Sequence, residues 1–595
     1  MATATISTSL LLEPDTDLVS YSIRVDGTEV SSAFHVMTMN IQQGINKIPS
    51  AQLVIRDGSA SEENFEISDD EIFVPGNKIE IDLGYHGNNT MVFKGIIITN
   101  SHSVNSHCCE MTVDCKDERV KMSTTLSGNN YSDKTDIDVV NDLLRLNNMP
   151  EADKPEDGPL VKHEQLVQSN TSDWDFMISR LDVSAQFAVI NNGELTVRKS
   201  TLAGEPKLRL RHGVNIFEFR ADIDSRIQSP EVRTQTWDPA EQEVRATQHE
   251  DPPEIEQSNS EDEQKSLKSA IGDIAAVINK PFMIRGAYMT NEEQQLVTDA
   301  KRIRQVLSRI KGAVKYQGTT KALPGDFIEL NGVGKEFNGN VFVSAISHEY
   351  ADGCWTTEAT LGWEENFFSE NTNPKHPSSS SGQISSVQGL HIGVVTSIVD
   401  NSGQFRMKVR LPLVNASDEG VYARVATLDA GADRGTFFRP EINDEVIVGF
   451  MNDDPRHPVI LGMLHSSKKT SPIEPQESNP QKGYKSRSGI RLIFDDEHKS
   501  VVIETPGKRI AELNDDAAII SIRDDHGNKI TMDKDGITIE STNKDIKLKA
   551  NTSIKLEAKK ISIKAATDVS VEGGSKATLK GGGQTVIKGG MVRIN

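Results

Sequence analysis

The sequence predicts a mainly β protein with minor α content, ending in a strand-built shaft. Three observations carry this. Short stretches that alternate apolar and polar residues recur through most of the 595-residue chain. Residues 391 to 465 hold a compact run of such strands with no strong helix. From Asp545 onward, apolar pairs two residues apart return every seven or eight residues, with no Trp, Tyr, Phe or Pro among them.

Length and charge set the frame. At roughly 100–200 residues per domain, the chain holds several domains, each large enough for its own core. Hydrophobic residues make up 36% and charged residues 26%, a folded composition. The net charge of −22 gives no support for a general nucleic-acid or anionic-membrane binder. No apolar run approaches the roughly 18–20 residues of a membrane helix. The N-terminal "MATATISTSLLLEPDTD" lacks a basic segment, and its apolar run is only Leu10 to Leu12. A secretory signal is not expected, so export would use another route. The four cysteines, Cys108, Cys109, Cys115 and Cys354, are too few for a disulfide scaffold. Cys-Cys-x5-Cys lacks the usual zinc spacing, and these read as reduced thiols on a strand.

The elements follow in order. "KIEIDLGYHG" (78–87) alternates Ile79, Ile81 and Leu83, and "VFKGIIITNSHSV" is its expected partner strand. "TDIDVVNDLLRL" predicts a helix capped by Thr135, with Ile137, Val140 and Leu144 on one face. "SDWDFMISRLD" predicts another, capped by Ser172, with Trp174, Met177, Ile178 and Leu181 inward and Trp174 a core anchor. "FAVINNGELTV" predicts a hairpin around Asn192-Gly193. Residues 224–268 are acidic, rich in Gln and Pro and nearly free of apolar residues, and read as an exposed excursion or loop. A helix is expected at about 290 to 311. Thr290 and Glu293 form its capping box, its stripe is Leu296, Ala300, Ile303, Leu307 and Ile310, and Gly312 stops it. "DFIEL", "VFVSAISHEY" and "WTTEATLG" return to strands.

"NPKHPSSSSGQISS" is a linker of Pro, Ser and Gly. The run after it alternates Met407, Val409 and Leu411, then Val446, Val448 and Phe450. That suits a small barrel such as an OB-fold. "SSKKTSPIEPQESNPQKG" closes this unit, and β-hairpins with acidic or Gly-containing turns fill the chain from Tyr484.

The tail pairs are Ile546/Leu548, Ile554/Leu556, Ile561/Ile563, Val569/Val571, Ala577/Leu579, Thr585/Ile587 and Val592/Ile594. Residues i and i+2 of a strand share a face, so each repeat is a short strand with a one-sided apolar face. A strand so short closes no core alone. Three octads per coil from one chain would give barely two coils. Three chains wound together give about seven layers around a shared apolar column. Residues 541–595 carry ten Lys and one Arg against four acids, net +7, which leaves −29 on the remainder. Two readings stand for this basic shaft: contact with an acidic envelope surface, and solubility.

"GLHIGVVTSIVDNSGQFRMKVRLP", "YARVATLDAGADRGTFFRPEINDEVIVGFMNDDPRHPVILGMLH" and the octad tail together resemble the VgrG family. They also resemble the fused hub and spike proteins of contractile phage tails and phage-tail-like injection particles. The family's Pro-Glu-x-Gly-Asp-Glu-Val pattern stands as Pro440, Glu441, Ile442, Asn443, Asp444, Glu445 and Val446. Asn443 takes the usual Gly position and tolerates the same left-handed turn. The Asp-Pro-x-x-Pro-Val-x-x-Gly pattern stands as Asp454, Pro455, Pro458, Val459 and Gly462. "SDWDFMISRLD", "NNGELTV" and "ALPGDFIELNGVGKEFNGNVFVSAISHEY" look like the family's hub region.

The resemblance implies a hub of β-barrel-like domains over residues 1–372 and a linker at 373–388. An OB collar at 389–466 and a second linker at 467–483 follow. Hairpins at 484–544 begin the spike, and 545–595 form an intertwined trimeric β-helical needle. Its core would be Ile546, Leu548, Ile554, Leu556, Ile561, Ile563, Val569, Val571, Ala577, Leu579 and Ile587. Val592, Ile594 and Asn595 would seat a PAAR-type tip protein. The implied partners are two further copies, an inner tube protein and baseplate components at the hub, effectors, and transiently the target envelope. The particle would assemble in the bacterial cytoplasm and act outside the cell or in the target. Type VI system, free particle and phage remain equal alternatives.

No enzyme and no cofactor are expected. The chain has no P-loop, HExxH or G-x-S-x-G. Asp453-Asp454, Asp495-Asp496-Glu497, Asp515-Asp516 and Asp524-Asp525 have the composition of acid/base pairs but fall at expected hairpin turns. His526 is the last histidine, so the needle has no His-based metal site. The alternative function is a tail spike or adhesin that binds or cleaves glycans, for which the tail offers no aromatic platform. A narrower variant gives 224–268 a cargo-docking role.

Overall fold

A computed structural model describes residues 16–594 apart from 32, 59–63, 106–108, 154, 156–160, 203, 225–228, 230, 239–242, 250–280, 287 and 371–385. Cys108, Asn595, most of the 224–268 excursion and most of the 373–388 linker lie outside the described residues. The chain divides into two compact units, residues 1–464 and 465–595.

The first unit opens with β1 (Val19–Val25), β2 (Thr28–Glu29), β3 (Val36–Gly44), β4 (Ser50–Arg56), β5 (Lys78–Tyr85), β6 (Asn88–Val104) and β7 (Cys109–Lys116). Ile79, Ile81 and Leu83 of β5 are buried as their alternation requires. They pack with Met39, Ile41, Leu53 and Ile55. Cys115 is buried, and burial pushes its thiol up to about 12, which leaves it unreactive.

An α/β insert follows: β8 (Leu126–Thr135), α1 (Asp136–Leu146), β9 (Lys162–Ser172), α2 (Asp173–Val183), β10 (Gln186–Asn191) and β11 (Glu194–Lys199). Thr135 caps α1 in a reciprocal box with Asp138, and Ser172 caps α2 through the Asp175 amide. Asn192 and Gly193 both take positive φ, 51° and 81°, which turns β10 into β11.

Next come β12 (Pro206–Arg211), β13 (Ile216–Ile223), β14 (Val232–Asp238), β15 (Glu243–His249), β16 (Phe282–Gly286) and α3 (Asn291–Leu307). They lead into β17 (Ile310–Gln317), β18 (Phe327–Asn331), β19 (Gly339–Ala351) and β20 (Cys354–Leu361). One large sheet joins the two halves, because β19 pairs with both β20 and β3. Aromatic Phe187, Phe327, Phe342 and Trp363 pack between the insert and the second half.

Two expectations are corrected here. The excursion is not all loop: β14 and β15 pair with each other, β14 pairs with β16, and the sheet packs on α3. Their inward residues are Val232, Thr234 and Thr236, so polarity hid the alternation. Thr234 hydrogen-bonds Thr298, and Gln294 donates to Thr236, each at 2.8 Å. Helix α3 ends at Leu307 rather than near 311. Ile310 and Gly312 belong to β17, where pairing with β13 and β20 outweighs helix continuation. Gly312 is required there by a close approach: a Cβ would lie 2.1 Å from the Arg220 carbonyl.

The unit closes with β21 (His391–Ser397), β22 (Met407–Arg410), β23 (Val421–Val425), the short pair β24 (Ala430–Gly431) and β25 (Arg434–Gly435), β26 (Glu445–Phe450) and β27 (Pro458–Met463). Strands β21-β22-β23-β27-β26 form a closed five-stranded barrel. Val395, Met407, Val409, Val421, Ala423, Val446, Val448 and Ile460 fill it.

In the second unit, β28 (Gln481–Lys485), β29 (Arg491–Asp495), β30 (Ser500–Glu504), β31 (Ile510–Asn514), β32 (Ile519–Arg523), β33 (Asn528–Asp533) and β34 (Gly536–Ser541) form one antiparallel meander. Residues 545–594 form no strand of their own.

Candidate functional site

Where the α/β insert meets the barrel, β9 supplies the contacts. Val167 of β9 is buried inside the barrel's own apolar cluster. Gln165 treats β23 as a strand neighbour: its Oε1 accepts from the Tyr422 amide at 2.8 Å, and its Nε2 donates to the Tyr422 carbonyl at 3.3 Å. Arg406 forks onto both oxygens of Glu164, at 3.0 and 2.6 Å, and its Nε reaches Asp400 at 3.0 Å. Its guanidinium also lies 4.6 Å from the Tyr422 ring centroid. A charged chain runs alongside. His163 Nδ1 sits 2.5 Å from Glu293, and His163 Nε2 and Arg180 both meet Asp136. Burial opposes the Glu293 carboxylate, but His163 and Arg456 outweigh it and hold the group at about 2. A cavity of about 200 Å³ opens here, lined by Lys162, Tyr288, Arg406, Tyr422 and Arg456 among others. These contacts fasten barrel to hub through paired polar groups and a shared apolar residue. None was legible in the sequence, although Arg456 follows the motif residue Pro455.

The motif residues hold the barrel's turns. Pro440 and Val446 are buried. Asp444 accepts from the Glu441 amide at 2.8 Å, and the Asp444 carbonyl accepts from the Val395 amide at 3.0 Å. Asn443 has φ 71°, the left-handed turn expected of the residue in the usual Gly position. Glu445 begins β26. Asp454, 1% exposed, binds Arg456 at 2.8 Å. Pro455 and Pro458 are buried beside it. A Cβ on Gly462 would meet nothing within 4 Å in the single chain.

The acidic turns keep their oxygens on backbone amides. Asp524 Oδ1 accepts from His526 and Asn528, and Asp495 Oδ1 from His498. Among the described residues, no three His, Cys, Asp or Glu side chains converge to hold a metal ion.

In the second unit the register sorts side chains into rows. Tyr484, Leu492, Ile503, Ala511, Ile522, Ile530 and Ile539 are successive cross-strand partners. Phe494, Val501, Leu513, Ile520, Met532 and Ile537 form a second row on the same face. This two-residue-wide apolar ladder is largely open: Phe494, Ile503, Leu513, Ile522 and Ile539 are all exposed. The opposite face carries Ser500, Ser521 and Thr531, which are buried. An inverted sheet of this kind, apolar outward and polar inward, is unstable as a solvent surface.

The octads are more open still. Ile546, Leu548, Ile554, Leu556, Ile561, Ile563, Val569, Val571, Ala577, Leu579 and Ile587 are all exposed, as are Val592 at 51% and Ile594 at 85%. The chain bends at 551–552, 559, 566–567, 574–575, 582–583 and 590–591. Among the described residues, none from 545 on makes a backbone–backbone hydrogen bond.

Residues 15–352, more than half of the chain, match the family model of the Alg8 N-terminal domain. The chain belongs to the Alg8 N-terminal domain family. Residues 391–465, the closed barrel, match the type VI secretion system/phage-baseplate injector OB domain. Over 67 residues the chain is 39% identical to the type VI secretion system spike protein VgrG1a of Pseudomonas aeruginosa, covering 11% of this chain and 10% of that protein. VgrG1b of the same organism matches at 39% over 67 residues, covering 9% of its length. The chain thus spans about a tenth of the length of the curated relatives it matches. In fold, 89% of the chain follows 81% of a chain in the lidded Francisella PdpA–VgrG complex, with TM-score 0.51 and 10% identity. The lidless complex gives TM-score 0.51 at 10% identity over 88% of this chain and 98% of that one. The barrel is thus similar to the injector OB domain of type VI secretion systems and phage baseplates, and the fold of most of the chain is similar to that of the VgrG complex chain.

Proposed function

We propose that the protein works as a homotrimer that joins the inner tube of a contractile injection particle to a membrane-puncturing needle. The observation that carries this is the second unit. Its ladder and octads expose apolar side chains in continuous rows, and its octads leave every described backbone amide without a partner. Unpaired strand edges and apolar stripes of this length call for partner strands, and two more copies supply both in register. The hub's large sheet and the barrel clamped to it by Arg406 and Val167 suit a rigid base that passes force to the needle.

A tip protein of the PAAR type seated on Val592 and Ile594, inner-tube and baseplate contacts at the hub, and effectors carried on the particle belong to the same reading. The role is mechanical rather than catalytic. Assembly in the cytoplasm and delivery outward complete it. Sedimentation of the full chain tests the trimer: the expected mass is three times 65.4 kDa. A concentration-independent monomer would overturn the reading. Ile594→Asp should abolish capture of a tip protein without changing that mass, and retained capture would remove the platform.

A further inference from the structure

The octads carry a second periodicity, in charge. In the short strands that the octads would form, residues flanking an apolar pair point to the side opposite that pair. Take the residue that follows each pair. It is Lys549, Glu557, Lys564, Glu572, Lys580 and then Lys588. Take the residue that precedes each pair. Lys560, Asp568 and Lys576 stand in three consecutive repeats. Every acid after Asp545 therefore has a lysine at its own position one repeat earlier and one repeat later. Ordinary mixed charge for solubility does not require that phase.

The phase says which strands are neighbours. If one chain coiled alone with three octads per turn, each octad would stack on the one three repeats away. Asp545 would then face Asp568, and Lys564 would face Lys588. If three chains intertwine, each octad passes to the next face of the shaft. The strand above it is then the following octad of another copy, at the usual spacing of roughly 4.8 Å. Glu557, Asp568 and Glu572 then each lie between two lysines, and the unfavourable stacks are Lys547 over Lys555 and Lys580 over Lys588.

We propose that Glu557, Asp568 and Glu572 form inter-chain ion-pair ladders on the outside of the shaft that fix the register in which three copies wind. The partner is a second copy of this chain, and its recognising groups are Lys549, Lys560, Lys564, Lys576 and Lys580. The ladder supplies what the core cannot. Repeats of Ile, Leu and Val slide by one octad at little cost, whereas a slip of one octad sets Lys against Lys and Glu against Glu. The inference rests on the trimeric reading, and its tests separate the two.

Full-length Glu572→Lys, at low ionic strength, should still sediment as a trimer but dissociate on heating several degrees below the wild type. Adding Lys564→Glu and Lys580→Glu to it should restore most of that loss. An unchanged midpoint in Glu572→Lys, or no recovery in the triple variant, would overturn the ladder. Neighbours are tested directly by oxidation. Chains with Glu572→Cys co-expressed with chains carrying Lys580→Cys should give a disulfide between those two positions, mapped by mass spectrometry. The Lys549→Cys with Glu572→Cys combination should give none. With Lys549→Cys and Glu572→Cys placed on one chain, a link within that chain and none between Glu572→Cys and Lys580→Cys chains would overturn the register and indicate a single-chain coil. A monomeric wild type would remove the trimer itself.

Discussion

Single residues set how the first unit responds to pH and to load. His348 on β19 is buried, with Nδ1 3.0 Å from the Thr357 hydroxyl and its ring beside Trp355. Burial pushes its imidazole down to about 4. The unfolded ring titrates near pH 6.5, so between about 6.5 and 4 the unfolded chain binds the extra proton. Stability is therefore full above about pH 6.5 and falls as the pH drops toward 4, by up to about 3 kcal/mol. Calorimetry from pH 7 to 4 should show this slope, and His348→Gln should flatten it. An equally steep slope in the variant would assign the effect elsewhere. Arg406 is the second such residue. Arg406→Ala removes the fork to Glu164 and the only cation paired with the Asp400 carboxylate among the described residues, leaving Asp400 its bonds from Ser402 and the residue 406 amide. The expected cost is about 3 kcal/mol, at the low end for a broken buried pair because Glu164 is half exposed. It should appear as faster proteolysis between β21 and β23 in the intact protein.

At the scale of elements, local chemistry and tertiary pairing divided the work. The caps at Thr135, Ser172 and Thr290, the Asn192-Gly193 turn and the barrel's alternation are short-range signals, and the structure follows them. Helix α3 shows where such signals stop. Its expected stripe included Leu296 and Ile303, which are only half-buried, while Lys301, Arg302 and Arg304 are buried. Lys301 reaches Glu370, and Arg304 binds Asp182 and lies over Trp363. Those partners lie far off in the sequence, and no periodicity announces them. The hub–barrel joint was hidden for the same reason, since Glu164, Gln165 and Val167 meet partners more than 200 residues away. The octads are legible in the sequence as a period alone, and in one chain they form no strand. In the ladder of β28–β34, Ile520 is exposed in one chain and faces Leu513 and Met532 across the sheet. Ile520→Asp should leave the strand content of the chain intact by circular dichroism and still abolish the oligomer on sedimentation. Retention of the oligomer would place the ladder outside the assembly core.

The whole molecule is polarised in charge and in completeness. Residues 541–595 carry +7 and the remainder −29. The first unit satisfies its own sheets and cores, whereas the second leaves its apolar rows and octad backbone open. A hub that folds alone and a shaft that folds only in company would assemble in that order, with the shaft's strands closing last. This makes the shaft the most sensitive reporter of assembly. Amide hydrogen exchange over residues 546–594 of the full-length protein tests the central claim most directly. Amides paired with two other copies should exchange as slowly as those of β3–β7. Complete exchange of those amides at the earliest time, in protein whose mass is trimeric, would contradict an intertwined shaft.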